Sequence, residues 1–142
     1  MLDIAGVVIL YHPDVKKTIE NIKTYAPFLK KLYVLDNSET PSEQLQHSLH
    51  YFENKVSYHF QGQNEGLAKR LNQAASYAIS DGFEYLLTMD QDSCFENGLF
   101  EKYISLIEST KLENVAQYGV NTNPALTNFS NKYQIVSCLI TS

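Results

Sequence analysis

The chain has 142 residues, 44% of them hydrophobic and including 10 tyrosines and 7 phenylalanines, which suits one globular domain with a sizeable core and gives no compositional ground for disorder. Its formal net charge of −5, with no Lys/Arg cluster, lacks the basic footprint of a nucleic-acid or polyanion binder. Cys94 and Cys138 stand in no CxxC or Cys/His ligand spacing, and the longest apolar run, Ile4 to Leu10, is far too short for a bilayer, so a reduced, soluble, cytoplasmic chain without structural zinc, signal peptide or membrane span is expected.

The first element is IAGVVIL (4–10), a continuous β-branched run of the kind that forms a strand covered on both faces. A helix follows from Pro13/Asp14, with Val15, Ile19, Ile22 and Ala26 at helical spacing. KLYVLDNS (31–38) predicts a second strand ending in Asp36-Asn37-Ser38, and TPSEQLQHSLHYF (40–52) a second helix opened by Pro41 and Ser42. KVSYHFQG (55–62) is a third strand. From Gly66 to Ser80, Leu67, Leu71, Ala74, Ala75 and Ala78 make one helical stripe that Asp81-Gly82 stops. FEYLLTMD (83–90) reads as a fourth, buried strand, Asn97 opens a helix through Phe100, Tyr103, Ile104 and Ile107, and NVAQYGV (114–120) is a fifth strand. This alternation predicts an α/β domain with a mostly parallel sheet and helices on both faces, over 1–142 as a single domain.

Parallel sheets bind ligands beyond the carboxyl ends of their strands, where strand order reverses. Tyr11-His12-Pro13, Asp36-Asn37, Asn64-Glu65-Gly66 and Asp90-Gln91-Asp92 all fall at or just past such ends. Carboxylates gathered on one rim repel each other and any anionic ligand, so a divalent cation, Mg²⁺ or Mn²⁺, is the expected cofactor. The ion would bridge protein and diphosphate and stabilise charge on a departing nucleoside diphosphate. Each motif alone has a plainer reading. Asp90 can end a strand while Asp92 or Ser93 caps a turn, Asp36 can be a turn residue, and Asn64 or Glu65 can open a helix. Lys69 and Arg70 read as solvated charges on an exposed helix face, with contact to phosphate as the alternative.

Taken in order, VVILYHPD, LYVLDNSE and NEGLAKRLNQAASYAISDGFEYLLTMDQDS resemble the N-terminal nucleotide-sugar half of family 2 glycosyltransferases, of GT-A fold, and most closely their rhamnosyltransferase branch. The likeness covers about residues 4 to 110. It implies transfer of a sugar, with rhamnose from a dTDP donor as first guess, to a hydroxyl of a saccharide or glycoconjugate acceptor, with inversion at the anomeric carbon. By position it implies that Tyr11 and Pro13 line the base-binding end and that Asp36 bonds the nucleobase or ribose region. Asn64 and Gly66 would shape the donor loop, Asp92 would ligate the metal, and Asp90 would contact ribose or metal-bound water. A full-length relative of this kind would sit in the cytoplasm or peripherally on the inner face of the membrane.

The chain departs from the family in two places. Many relatives place an Arg immediately before the Asn matching Asn72, where this chain has Leu71, with Arg70 one step earlier. One step turns a helical side chain by about 100°, so the phosphate role is not carried over to Arg70 by position alone. Relatives also run on past the position of Ser142 into an acceptor-binding half that supplies the general base, so a C-terminally incomplete domain, inactive alone, is expected. No residue here is assigned as the base. Glu96, Glu101 and Glu108 read as solvated helix positions, His12 as a loop residue, His47, His50 and His59 as surface residues, and Met89 as core. The competing function is a non-catalytic nucleotide- and divalent-metal-binding module. A receiver-like domain fits less well, because the chain has no acidic pair after its first strand.

Overall fold

The computed structural model describes residues 2–110, 118–120 and 133–135. The chain divides into two compact units, residues 1–104 and 105–142. Strands β1 (Ile4–Leu10), β2 (Lys31–Asp36), β3 (Val56–Phe60) and β4 (Tyr85–Asp90) form one four-stranded sheet in the order β3-β2-β1-β4. All three pairings are parallel, with Val8 opposite Val34 and Met89 at the centre. The chain therefore winds outward from β1 to β3 and then returns to lay β4 on the other side of β1. That reversal makes the gap between the carboxyl ends of β1 and β4 the switch point.

Side chains alternate across the strands, and each face has its own cover. Ala5, Val7, Tyr33 and Leu35 pack with Ala74 and Ala78 of helix α3 (Leu67–Ser80) on one face. On the other face Val8, Leu10, Leu32 and Val34 are fully buried. There helix α2 (Glu43–Leu49), which packs against helix α1 (Val15–Ile22), brings Gln46 into hydrogen-bonding range of Tyr58. Both helices start where local chemistry dictates. Asp14 accepts from the Lys17 N–H at 3.0 Å and Ser42 from the Leu45 N–H at 3.2 Å, each satisfying a donor the helix itself leaves open. Helix α4 (Leu99–Thr110) buries Phe100, Tyr103 and Ile104, as its spacing predicts. In the second unit β5 (Tyr118–Val120) pairs antiparallel with β6 (Tyr133–Ile135).

Several expectations need correction. Helix α1 stops at Ile22, and Ala26 begins a 3-10 turn (Ala26–Phe28). Pro27 has no N–H to continue an α-helix, and Thr24 instead bonds its hydroxyl to the Asn21 carbonyl at 2.6 Å. Strand β4 is half-exposed along its length, not buried. Among the described residues it pairs with β1 alone. In α3 the buried stripe runs Arg70, Ala74, Ala78, while Leu67 is 58% exposed. The segment 114–117 of the predicted fifth strand, Cys138 and the apolar run beyond 135 lie outside the described residues.

Candidate functional site

A cleft of about 580 Å³ opens at the switch point. Of the residues predicted for a site, Tyr11, Asn64, Gly66, Asp90 and Asp92 line it, so three separate loops converge there. Asp90 and Asp92 are both exposed, and Gln91 between them is half-buried. Gln91 and Asp92 form the turn that follows the strand, which leaves both carboxylates exposed. The Ser93 N–H closes the turn onto the Asp90 carbonyl at 3.1 Å. Tyr11 is 45% exposed and its hydroxyl donates to Glu39 at 3.3 Å. His12 next to it has φ 44°, a left-handed conformation held by its N–H to Ser38 Oγ at 2.9 Å and by its ring to Glu39 at 2.7 Å.

Pro13 and Asp36 are not brought into the cleft lining. Asp36 is 1% exposed and both carboxylate oxygens are engaged. Oδ1 accepts from the Ser38 N–H at 2.9 Å and Oδ2 from the Tyr58 hydroxyl at 2.7 Å. Burial and this carboxylate hold the Tyr58 phenol protonated well above its ordinary range. The neighbouring Asn37 lines the cleft instead.

Sequence reasoning missed the polar assembly that carries Asn37. Arg70 is not a solvated charge; it is 0% exposed. Its Nε donates to Asn37 Oδ1 at 2.7 Å, Nη2 to the Asp36 carbonyl at 3.1 Å and Nη1 to Gln73 at 3.0 Å, with Glu65 3.6 Å from Nη1. The Glu65 N–H also donates to Asn37 Oδ1, at 3.3 Å. Two donors on one atom fix the Asn37 amide with its oxygen toward Arg70. The Glu65 carboxylate accepts from Lys69 and, at 3.2 Å, from Gln73. The Lys69 hydrogen bond first, then Gln73 and the positive charges of Lys69 and Arg70, hold its pKa below the usual carboxylate value. This framework ties the end of β2 to the Asn64–Gly66 loop. Within the loop Asn64 Oδ1 accepts from the Gly66 N–H at 2.9 Å, and Gly66 has φ 78°, which favours glycine. No atom would crowd a Cβ there, so the loop needs glycine for its backbone and not for space.

Two further residues differ from expectation. Met89 is half-buried and lines the cleft, so it is not simply core. His59 is half-buried and stacks on Tyr77 at 4.7 Å between ring centroids. Its burial, then Arg70 and Lys31, push its pKa down. Glu96, Glu101 and Glu108 are exposed, as predicted. Among the described residues no group of three or more His, Cys, Asp or Glu gathers to hold a metal by itself. No helix among them is long and apolar enough to cross a membrane.

A cleft at a β1/β4 switch point, flanked by an acid-x-acid loop and a glycine-containing loop, is the arrangement on which comparison with known proteins bears. Two crystal structures of S. aureus TarS, one of them of residues 1-349, superpose with a TM-score of 0.56 each. They are 20% and 19% identical to this chain and cover 84% and 85% of it. The chain spans only 38% and 23% of their lengths. At that identity the likeness shows a shared GT-A fold, parallel-sheeted and Rossmann-like, and nothing about substrate. No curated protein matches the sequence. The glycosyl transferase family 2 profile, however, matches residues 11–137, from the rim tyrosine through all three cleft loops and beyond, and on that match the chain belongs to this family.

Proposed function

We propose that this chain forms the donor-binding part of an inverting glycosyltransferase, which moves a sugar from a nucleoside diphosphate to a hydroxyl of a saccharide or glycoconjugate acceptor. Rhamnose on dTDP is the first donor to try. One observation carries the reading: Asp90 and Asp92 open onto a cleft that the Asn64–Gly66 loop and Tyr11 also line. A hard divalent cation commonly takes one or two carboxylates and completes its shell with water and substrate phosphates. Two rim acids without a third protein ligand fit that pattern for Mg²⁺ or Mn²⁺, with Asp92 as ligand and Asp90 as ligand or ribose contact. When bound, the ion offsets charge on the leaving diphosphate. Tyr11 supplies a half-exposed ring for the base, and Pro13 borders that end from outside the lining. Asp36 acts from beneath the rim, through Ser38 and Tyr58.

A second reading, a nucleotide- and metal-binding module without transfer, is favoured by one fact. Among the described lining residues, Asp90 and Asp92 are the only carboxylates, and binding a nucleotide through a metal asks for no more than those two. Calorimetric titration of dTDP with and without Mn²⁺, on the wild type and Asp92→Asn, tests the shared part of both readings. Wild-type affinity that requires Mn²⁺ and falls about 10-fold or more in the variant supports the metal bridge. Equal affinity under all four conditions overturns it. Sugar transfer by the same protein then separates the enzyme from the module.

A further inference from the structure

The residue between the two aspartates does more than space them. Beyond Ile9 and Asp90 the β1/β4 register ends, and the two strands lead into different loops. There the Gln91 side chain takes over the ladder. Its Oε1 accepts from the Tyr11 N–H at 2.9 Å, in the place a backbone carbonyl would occupy if the strands continued. Its own carbonyl accepts from Asn21 Nδ2 of α1 at 3.1 Å. The same helix end holds the loop a second time, since the Phe95 N–H donates to Thr24 Oγ1 at 3.0 Å, and that hydroxyl donates to the Asn21 carbonyl. The aspartate loop is thus stapled to β1 and to α1 by bonds between residues 70 to 80 positions apart.

We propose that Gln91, seated by Asn21, is a positioning residue. It sets the outward alternation of Asp90 and Asp92 and locks both carboxylates to Tyr11 across the switch point. The inference rests on the metal-bridge reading only for its effect on binding. Its structural content stands apart from that reading. Because the Tyr11 N–H needs an acceptor, an uncharged side chain of similar size with no oxygen acceptor breaks the staple without emptying space. Gln91→Met is that change, and Gln91→Glu restores an acceptor oxygen at the same reach. Asn21→Asp removes the second donor and sets a carboxylate oxygen against the Gln91 carbonyl.

Hydrogen exchange followed amide by amide, together with Mn²⁺-dependent dTDP titration, tests the proposal on the full chain. In Gln91→Met the Tyr11 amide exchanges at least about 10-fold faster, and Mn²⁺-dependent dTDP affinity falls by about 10-fold, the size typical of losing a group that orients a metal ligand. Gln91→Glu keeps the Tyr11 amide slow, which a volume or stability effect alone would not produce. Asn21→Asp speeds exchange in residues 91–95, and it stands in if Gln91→Met does not fold. The proposal is overturned if Gln91→Met protects Tyr11 as the wild type does, or if Gln91→Glu exchanges as fast as Gln91→Met. Wild-type dTDP binding that ignores Mn²⁺ would instead remove the metal-bridge reading, and exchange at Tyr11 would still decide for or against the staple.

Discussion

Arg70 concentrates more of the site's order than any other single side chain. It is wholly buried, yet each nitrogen of its guanidinium has a partner, and those partners tie the end of β2 to Gln73 of α3, with Glu65 of the neighbouring loop 3.6 Å away. Removing the cation takes one donor each from the Asp36 carbonyl, Asn37 Oδ1 and Gln73 Oε1, and losing hydrogen bonds to a charged group typically costs ~1.5–3 kcal/mol. Arg70→Met is therefore expected to lower the urea-unfolding free energy by about that much, with Arg70→Lys intermediate because it keeps the charge but not the planar fork. A loss below about 1 kcal/mol would show that the network contributes little. Titration acts at the same place. The His59 pKa lies below its ordinary 6.5, so as pH falls through that value the unfolded chain binds the proton first and stability declines. The Glu65 pKa lies below its ordinary 4.5, so its contribution is full above that value and is lost as pH drops through the lowered one. Unfolding midpoints should fall on acidification in two stages. His59→Gln should flatten the first, which sets in as pH falls through about 6.5, and leave the second.

Strand β1 shows how tightly an element is held by its cover. Gly6 faces the side opposite α3, and a Cβ built there would lie 2.4 Å from Leu29 Cδ1 and 3.2 Å from Leu32 Cδ1. Leu29 is itself 1% exposed, so it has little room to withdraw. Glycine is required here by the close approach of a neighbour and not by its backbone angles. Adding side-chain volume to a packed core costs about 1–3 kcal/mol, and Gly6→Val should show a loss of that order in urea unfolding. Leu29→Ala in the Gly6→Val background should recover part of it, although each change alone destabilises. That sign of coupling distinguishes overpacking from a general weakness of the strand. Because β1 leads directly into Tyr11, a shift of the strand also moves one wall of the cleft.

Whole-molecule features were legible in proportion to how local their causes are. Strand and helix alternation, the Asp14 and Ser42 caps and the gathering of Tyr11, Asn64, Gly66, Asp90 and Asp92 follow from periodicity, capping chemistry and the rule for parallel sheets. Arg70 was not legible, because the partners that bury it lie 33 and 34 positions away and only the fold brings them together. Asp36 looked available for the same reason, since Tyr58 comes from the next strand. Nor does an apolar run such as Tyr85 to Met89 tell a central strand from an edge one. Here the distinction matters. The centre of the sheet, β1 and β2, is almost wholly buried, whereas β4 is half-exposed and, among the described residues, bonded on one side. Local opening follows burial and backbone protection. Amides of β1 and β2 should therefore exchange slowest, and those of β4 at least about 10-fold faster, a difference of about 1.4 kcal/mol in opening free energy. If β4 proves as slow as β1, a further segment of the protein must pair with its outer edge. If it is fast, the acids that face the cleft hang from a weakly protected strand, and side-chain bonds to Tyr11 and to the end of α1 are what hold them in place. Adding dTDP with Mn²⁺ should then slow exchange in 90–92 more than anywhere in β2, because binding raises the free energy of those openings that disrupt the site.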